Sequence, residues 1–159
     1  GLGLEGYATW TSPIRKYSDM VNHRLIKAVL TQQACEKPQD EVLARLQEAR
    51  RQNRLVERDI ADWLYCRYLA DKVAENAEFD AEVQDVMRGG LRVQLLENGA
   101  SMFVPASTLH PNKDEMQVNA DELALYIQGE RRYKIGDLVK VKLTEVREET
   151  RSIIGQLII

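Results

Sequence analysis

A chain of 159 residues has room for one compact domain or two small ones. At 44% hydrophobic and 30% charged residues it can bury a core and is not a disordered tail. The net charge of −3, from 22 basic and 25 acidic side chains, excludes a globally basic nucleic-acid binder, so contact with a polyanion must use a local face. Residues 1–76 carry 12 basic and 11 acidic side chains, whereas residues 77–159 carry 10 and 14. No apolar run reaches the ~18 residues of a membrane span, and no basic-then-apolar leader opens the chain. Gly1 begins in the midst of patterned sequence, as expected of a fragment or a processed product. Cys35 and Cys66 stand alone without zinc-spaced partners, which suits a reduced, cytoplasmic setting.

Gly1, Gly3 and Gly6 spell a dinucleotide-type G-x-G-x-x-G, but no strand precedes it and no βαβ unit follows, so these glycines read as loop. Ser12 and Pro13 predict a helix start, with Ser12 capping free N–H groups and Pro13 in the first helical position. Ile14, Tyr17, Val21, Leu25, Ala28 and Val29 then recur as one apolar stripe, predicting a helix that ends near Thr31. A second helix is expected from Gln39 or Asp40 to about Glu75. Val42, Leu43, Leu46, Val56, Ile60, Trp63, Leu64 and Val73 keep the helical rhythm there without an internal Pro or Gly. Its middle is dense in Arg45, Arg50, Arg51, Arg54 and Arg58. These fit equally a solvated face laced by i,i+4 pairs and a basic wall facing a ligand.

After Asn76 the period drops to two. Phe79, Ala81, Val83 and Asp85 alternate with polar neighbours, Gly89-Gly90 makes a turn, and Leu91, Val93 and Leu95 form the next strand. Asn98-Gly99 signals a hairpin into a third short strand from Met102 to Val104, ended by Pro105. Residues 111–122 read as a loop and residues 123–127 as an extra strand. Leu138, Val139, Val141 and Leu143 form a further strand, and residues 152–158 the last. The fold class expected is therefore α+β: a helical segment with a long helix, then a five-stranded antiparallel OB-type β-barrel. The division is expected at residues 1–75 and 76–159.

Complete catalytic machinery is missing from these residues. His23 and His110 lie far apart without matching ligands, no Asp cluster suits a two-metal site, and no Ser-His or Cys-His arrangement appears. The run from Tyr7 to Tyr17 is different, because it gathers aromatics, hydroxyls, Arg15 and Lys16 around a helix start. A helix N-terminus offers N–H groups to a phosphate, and the Arg15 guanidinium adds a planar fork that matches phosphate oxygens. A capped helix carrying a surface Arg fits the same residues.

The run "YATWTSPIRKYSDMVNHRLIKAVL" resembles the end of the RNB catalytic domain of the ribonuclease II family. "RRQNRLVERDIADWLY" is similar to the family's helix between the catalytic core and the last domain. "EFDAEVQDVMRGGLRVQLLENGASMFVPASTLH" and "YKIGDLVKVKLTEVREETRSIIGQLI" resemble its C-terminal S1 RNA-binding domain. The resemblance implies a Mg²⁺-dependent 3′-to-5′ exoribonuclease that processively hydrolyses single-stranded RNA to nucleoside 5′-monophosphates. The metal-binding carboxylates would belong to an earlier Asp-rich motif outside this chain, so no cofactor is expected on the fragment itself. Arg15, in "SPIRKY", is implied as the residue gripping the reacting phosphate, with Lys16 beside it on the RNA. Glu57, in "LVERD", is implied to line the RNA path; an ordinary surface Glu paired with Arg54 or Arg58 is the other reading.

The barrel departs from the family pattern. Arg92 stands where an S1 domain commonly has an aromatic, and Pro105 where many have a His, which favours phosphate contacts over base stacking. Arg88, Arg92, Lys140, Lys142 and Arg151 are the candidates for those contacts, and Lys140 and Lys142 share a strand face by alternation. Phe103 suits a stacking face and the core equally. The implied partner is single-stranded RNA, with neither a membrane nor an obligatory protein partner. Two competing readings are a stand-alone S1-type adaptor, which has no use for a "TSPIRKY" phosphate clamp, and a structural domain whose barrel meets other proteins.

Overall fold

The computed structural model describes residues 3–34 and 36–158; Gly1 of the glycine triplet and Cys35 lie outside the described residues. The chain divides into two compact units, Gly1–Val56 and Glu57–Ile159. None of the helices among the described residues is long and apolar enough to cross a membrane.

In the first unit an irregular segment and a single turn lead to α1, Tyr17–Leu30. The helix starts later than Ser12-Pro13 suggests. Lys16 holds the N-cap position in extended conformation (φ −120°, ψ 110°), so the turn before it cannot run on into the helix. Ser12 does not cap α1; its carbonyl accepts from the N–H groups of Arg15 (3.3 Å) and Lys16 (2.9 Å) and closes the turn. At the far end the expected stop near Thr31 is correct. Gln32 sits at φ 54°, and the N–H groups of Gln33 and Gln32 bond to the carbonyls of Ala28 (2.9 Å) and Val29 (3.3 Å), which is a Schellman closure. Of the apolar stripe only Ala28 is buried, while Ile14, Tyr17 and Val29 are exposed. The side chain that α1 buries completely is Asp19.

Helix α2, Asp40–Leu69, begins where expected and stops short of Glu75. A 3-10 turn over Asp71–Val73 follows, and Asn76 (φ 52°) redirects the chain. Residues 40–56 of α2 belong to the first unit and 57–69 to the second. The Arg-rich middle, residues 47–60, is exposed throughout, as a solvated face would be. Cys66 and Leu69 are fully buried in the core of the second unit, and burial pushes the Cys66 thiol pKa up, which keeps it protonated and unreactive.

That core lies inside a closed barrel. Its strands are β1 (Glu78–Met87), β2 (Gly90–Leu95) and β3 (Ser101–Pro105), followed after a long connection by β7 (Leu138–Arg147) and β8 (Ser152–Leu157). Around the ring the order is β1-β2-β3-β8-β7, with β7 pairing back onto β1. The expectation of a purely antiparallel barrel needs correction, because β3 and β8 pair in parallel through Phe103 and Ile154. Five strands force this: direction cannot alternate all the way round a ring with an odd number of members, so one seam must be parallel. Alternation supplies the interior, with Phe79, Ala81 and Val83 from β1, Leu91, Val93 and Leu95 from β2, and Met102 and Val104 from β3 all buried. Val141, Leu143 and Ile153 complete it. Register breaks between Val83 and Asp85 and between Leu143 and Glu145 bend the two long strands, which lets the sheet curl shut.

The connection before β7 is also more ordered than expected. Residues 111–122, read as loop, contain a 3-10 turn and β4 (Met116–Asn119). The extra strand is β5 (Ala124–Ile127), and β6 (Glu130–Lys134) pairs on its other side to give a separate three-stranded sheet.

Two glycines are required by close packing. Gly90 (φ 143°) opens β2 where an added Cβ would lie 2.0 Å from the Val104 carbonyl oxygen. On β8, a Cβ at Gly155 would lie 2.3 Å from Met102 Sδ and 2.7 Å from the Lys142 carbonyl oxygen. Backbone on one side leaves no cheap relief. Gly155→Ala is therefore expected to destabilise the barrel by about 2 kcal/mol, read as a lower urea midpoint at unchanged slope; an unchanged midpoint would contradict this packing.

Candidate functional site

The segment "YATWTSPIRKY" is held to α1 by three polar side chains on one helical face. Asp19 accepts hydrogen bonds from Thr9 Oγ1 (2.5 Å), the Ser12 N–H (3.0 Å) and Ser18 Oγ (3.3 Å). One turn further, Asn22 Nδ2 donates to the Thr9 carbonyl (2.7 Å), and His23 Nε2 meets the Trp10 carbonyl at 2.7 Å. His23 thus serves as a backbone anchor for the Trp10 end of the segment. The Trp10 and His23 rings add a tilted contact, 6.3 Å between centroids. A buried carboxylate without a direct cationic partner survives only if neutral donors satisfy it, and these three do.

This arrangement projects two cations. The turn closed on the Ser12 carbonyl carries Arg15 and Lys16, both exposed, and neither forms an ion pair among the described residues. Arg15 therefore keeps its guanidinium donors free for an incoming anion, and Tyr7 and Trp10 on the same segment are exposed aromatics. Glu57, on α2, is likewise exposed and has no ion pair with Arg54 or Arg58 among the described residues.

In the second unit the barrel candidates fall into three groups. Arg88, in the β1–β2 turn, and Arg92, on the outward side of β2, share a rim; Arg92 Nη1 lies 3.9 Å from Asp85 Oδ2, a loose pair about half exposed. Arg92 is in register with Phe103, which faces outward between buried Met102 and Val104 and is half-buried. Ile154 completes that strip across the parallel seam, and an added Cβ at Gly89 would touch the Phe103 ring at 3.7 Å. Lys140 and Lys142 share the outward side of β7, as alternation predicts, but they face acids: Lys140 Nζ is 4.0 Å from Asp80, and Lys142 is in register with Glu78. Arg151, in the β7–β8 turn, reaches Asp59 on α2 (3.4 Å) and ties the barrel to the helix beneath it.

The structure thus sets Arg92 and Phe103 side by side on β2 and β3, with Arg88 in the turn that leads into β2. Lys140 and Lys142 lie on β7, which β1 with its outward Glu78 and Asp80 separates from β2 on one side of the ring and β8 separates from β3 on the other, and Arg151 lies in the β7–β8 turn. Sequence reasoning left Phe103 undecided; register with Arg92 settles that it faces outward. Asp19 was missed, because its partners lie up to ten residues back in an irregular segment. No three His, Cys, Asp or Glu side chains converge among the described residues, so the residues present do not fit a catalytic metal.

The fold and these residues meet two family models. The S1 RNA binding domain model matches residues 72–157, and the RNB domain model matches residues 1–32. The chain belongs to the S1 RNA-binding domain family. Across its length it is 85% identical over 158 residues to exoribonuclease 2 of Haemophilus influenzae and 81% identical to that of Mannheimia succiniciproducens. In both cases the match takes in 99% of this chain and 24% of the relative, so the chain spans about a quarter of those proteins. Among solved structures, Mycoplasma genitalium RNase R matches at 23% identity over 96% of this chain and 24% of that one. The TM-score is 0.70 for its apo form and 0.73 for its complex with ribose-methylated single-stranded RNA, a likeness of fold.

The Asp19 hydrogen bonds, led by Thr9 and followed by Ser12, hold its carboxyl below the ordinary carboxylate range against the opposing effect of burial. A depressed folded-state pKa stabilises fully above the ordinary value and ceases to do so as pH falls through the depressed one. The Ser12 amide proton, donated to this carboxylate, should therefore titrate by NMR with a midpoint below that of a free Asp. A midpoint at or above the free value would contradict the staple.

Proposed function

We propose that this chain is the C-terminal part of a 3′-to-5′ exoribonuclease that hydrolyses single-stranded RNA processively to nucleoside 5′-monophosphates. Residues 1–75 would form the end of the RNB domain and its connecting helix, and residues 76–159 an S1 domain of OB type in a cytoplasmic enzyme. One observation carries the reading: Arg15 is exposed, without a partner among the described residues, on a turn fixed by a buried carboxylate, in a segment matched by the RNB model. A fixed cation does little for a fold but much for a reaction in which negative charge grows on phosphorus-bound oxygens.

In that reaction water adds to the phosphorus of the last phosphodiester. The 3′ oxygen of the preceding nucleotide leaves, and the phosphate stays on the released 5′-monophosphate. Arg15 binds the non-bridging oxygens as their charge rises, with Lys16 as a second cation beside it, and the barrel's Arg88 and Arg92 offer phosphate contacts of their own. Phe103 offers a face on which a base stacks, flanked by the Arg92 cation. Lys140, Lys142 and Arg151 would add further phosphate contacts, Lys140 and Arg151 each lying, like Arg92, within 4.0 Å of an exposed carboxylate. Magnesium belongs to this chemistry, but its ligands would lie outside this chain. The high identity to exoribonuclease 2 and the S1 match support the assignment.

Replacing Arg15 by Ala in the full-length enzyme is expected to slow hydrolysis by about 10²–10³-fold, with RNA affinity nearly unchanged; equal single-turnover rates for the two proteins would reject the assignment. Glu57→Ala acts in the opposite sense, on binding. An exposed carboxylate about 4 Å from a phosphate costs about 1 kcal/mol, so its removal should tighten RNA binding roughly fivefold. Unchanged or weakened affinity in a filter-binding titration would take Glu57 off the RNA path.

A further inference from the structure

We propose that Asp19 is a positioning residue for phosphodiester hydrolysis, holding Arg15 at the reacting phosphate without touching RNA itself. The inference rests on the assignment of Arg15 above and adds a residue to it. Four observations lead there.

First, Asp19 is fully buried, the one charged side chain among the described residues to be so. Second, its two carboxylate oxygens are spent on both sides of a short loop: Oδ2 takes the Ser12 N–H, and Oδ1 takes the Thr9 and Ser18 hydroxyls. Third, the residue whose N–H it holds, Ser12, is the residue whose carbonyl closes the turn carrying Arg15. The line from carboxylate to Ser12 peptide to Arg15 is therefore three residues long and made of hydrogen bonds. Fourth, Asn22 and His23 hold the segment before the turn, at Thr9 and Trp10, and among the described residues the side-chain bond to the turn itself is that of Asp19 to Ser12. Ile14 at its crest is fully solvent-exposed, Lys16 has no capping side-chain bond, and Arg15 has no partner among the described residues.

Stability alone does not demand a charge here. A buried carboxylate costs several kcal/mol in desolvation, and an apolar or amide side chain would pack a helix start at less cost. What the anion adds is direction: it accepts only, so each donor around it has a single orientation, whereas Asn would present its own N–H₂ to one of them. An electrostatic catalyst loses its advantage when its reach is off by about 1 Å, for which a loss on the order of 10²-fold is typical.

The test is a double-mutant cycle in the full-length enzyme, read as single-turnover rate and as RNA Kd. Asp19→Asn should cut the rate by about tenfold to a hundredfold while Kd stays within about twofold. In the Arg15→Ala background, Asp19→Asn should cost nothing further, because the group it positions has gone. A wild-type rate for Asp19→Asn overturns the proposal, and so does a loss that multiplies with that of Arg15→Ala, which is the mark of general damage to the fold. A wild-type rate for Arg15→Ala by itself sinks the underlying assignment instead, so the two failures are distinguishable. If Asp19→Asn does not fold, Thr9 serves: Thr9→Val removes one donor and should slow the rate severalfold, whereas Thr9→Ser keeps the hydroxyl and should restore it. Equal rates for those two variants count against the proposal.

Discussion

Closing five strands into a ring dictates most of the second unit. The odd number imposes one parallel seam, the bulges after Val83 and Leu143 supply the curvature, and Gly155 lets β8 approach Met102 and the β7 backbone. Inside the ring, alternate residues of all five strands meet as one apolar cluster, to which α2 adds Cys66 and Leu69. Tyr65 fastens the same end by donating to the Asn98 carbonyl at 2.9 Å, in the loop between β2 and β3. With the interior committed, every polar side chain on the strands is forced outward. The functional question becomes which outward residues are neighbours, and the strand order answers it.

The two units solve the problem of presenting a cation differently. On the barrel, Arg92 borrows rigidity from its strand and sits beside an aromatic of known register. In the first unit no sheet is available, and the turn bearing Arg15 takes its shape from polar bonds to α1. Polar bonds to a buried anion are directional where apolar packing is not, so a short irregular segment can still aim a side chain.

How much of this was legible in the sequence depended on range. The barrel strands could be read because burial alternates along most of their length, and α2 because no Gly or Pro interrupts its rhythm. The second sheet could not. Strands β4 and β6 are short and mostly exposed, so they carry no alternation to detect, and residues 111–122 looked like loop. Ser12-Pro13 has the chemistry of a helix start, yet Ser12 is drawn to Asp19 through its backbone, and the chain needs Lys16 extended before a helix can form. Arg15 was legible as a motif; the reason it stands free was not, since that reason is a contact between residues 9, 12 and 19 that no local period reveals. For Lys140 and Lys142 alternation gave the right face but not the acids across from them on β1, which only strand order supplies.

The parallel seam has a consequence for selectivity. Strands β3 and β8 share one bridged pair, Phe103 with Ile154, whereas the neighbouring seams are long ladders. On the proposed reading, the Phe103 ring that receives a base would stand on the seam with the shortest ladder, where local opening costs least. A stacking face of that kind would serve purine and pyrimidine alike, because every base offers a π-face.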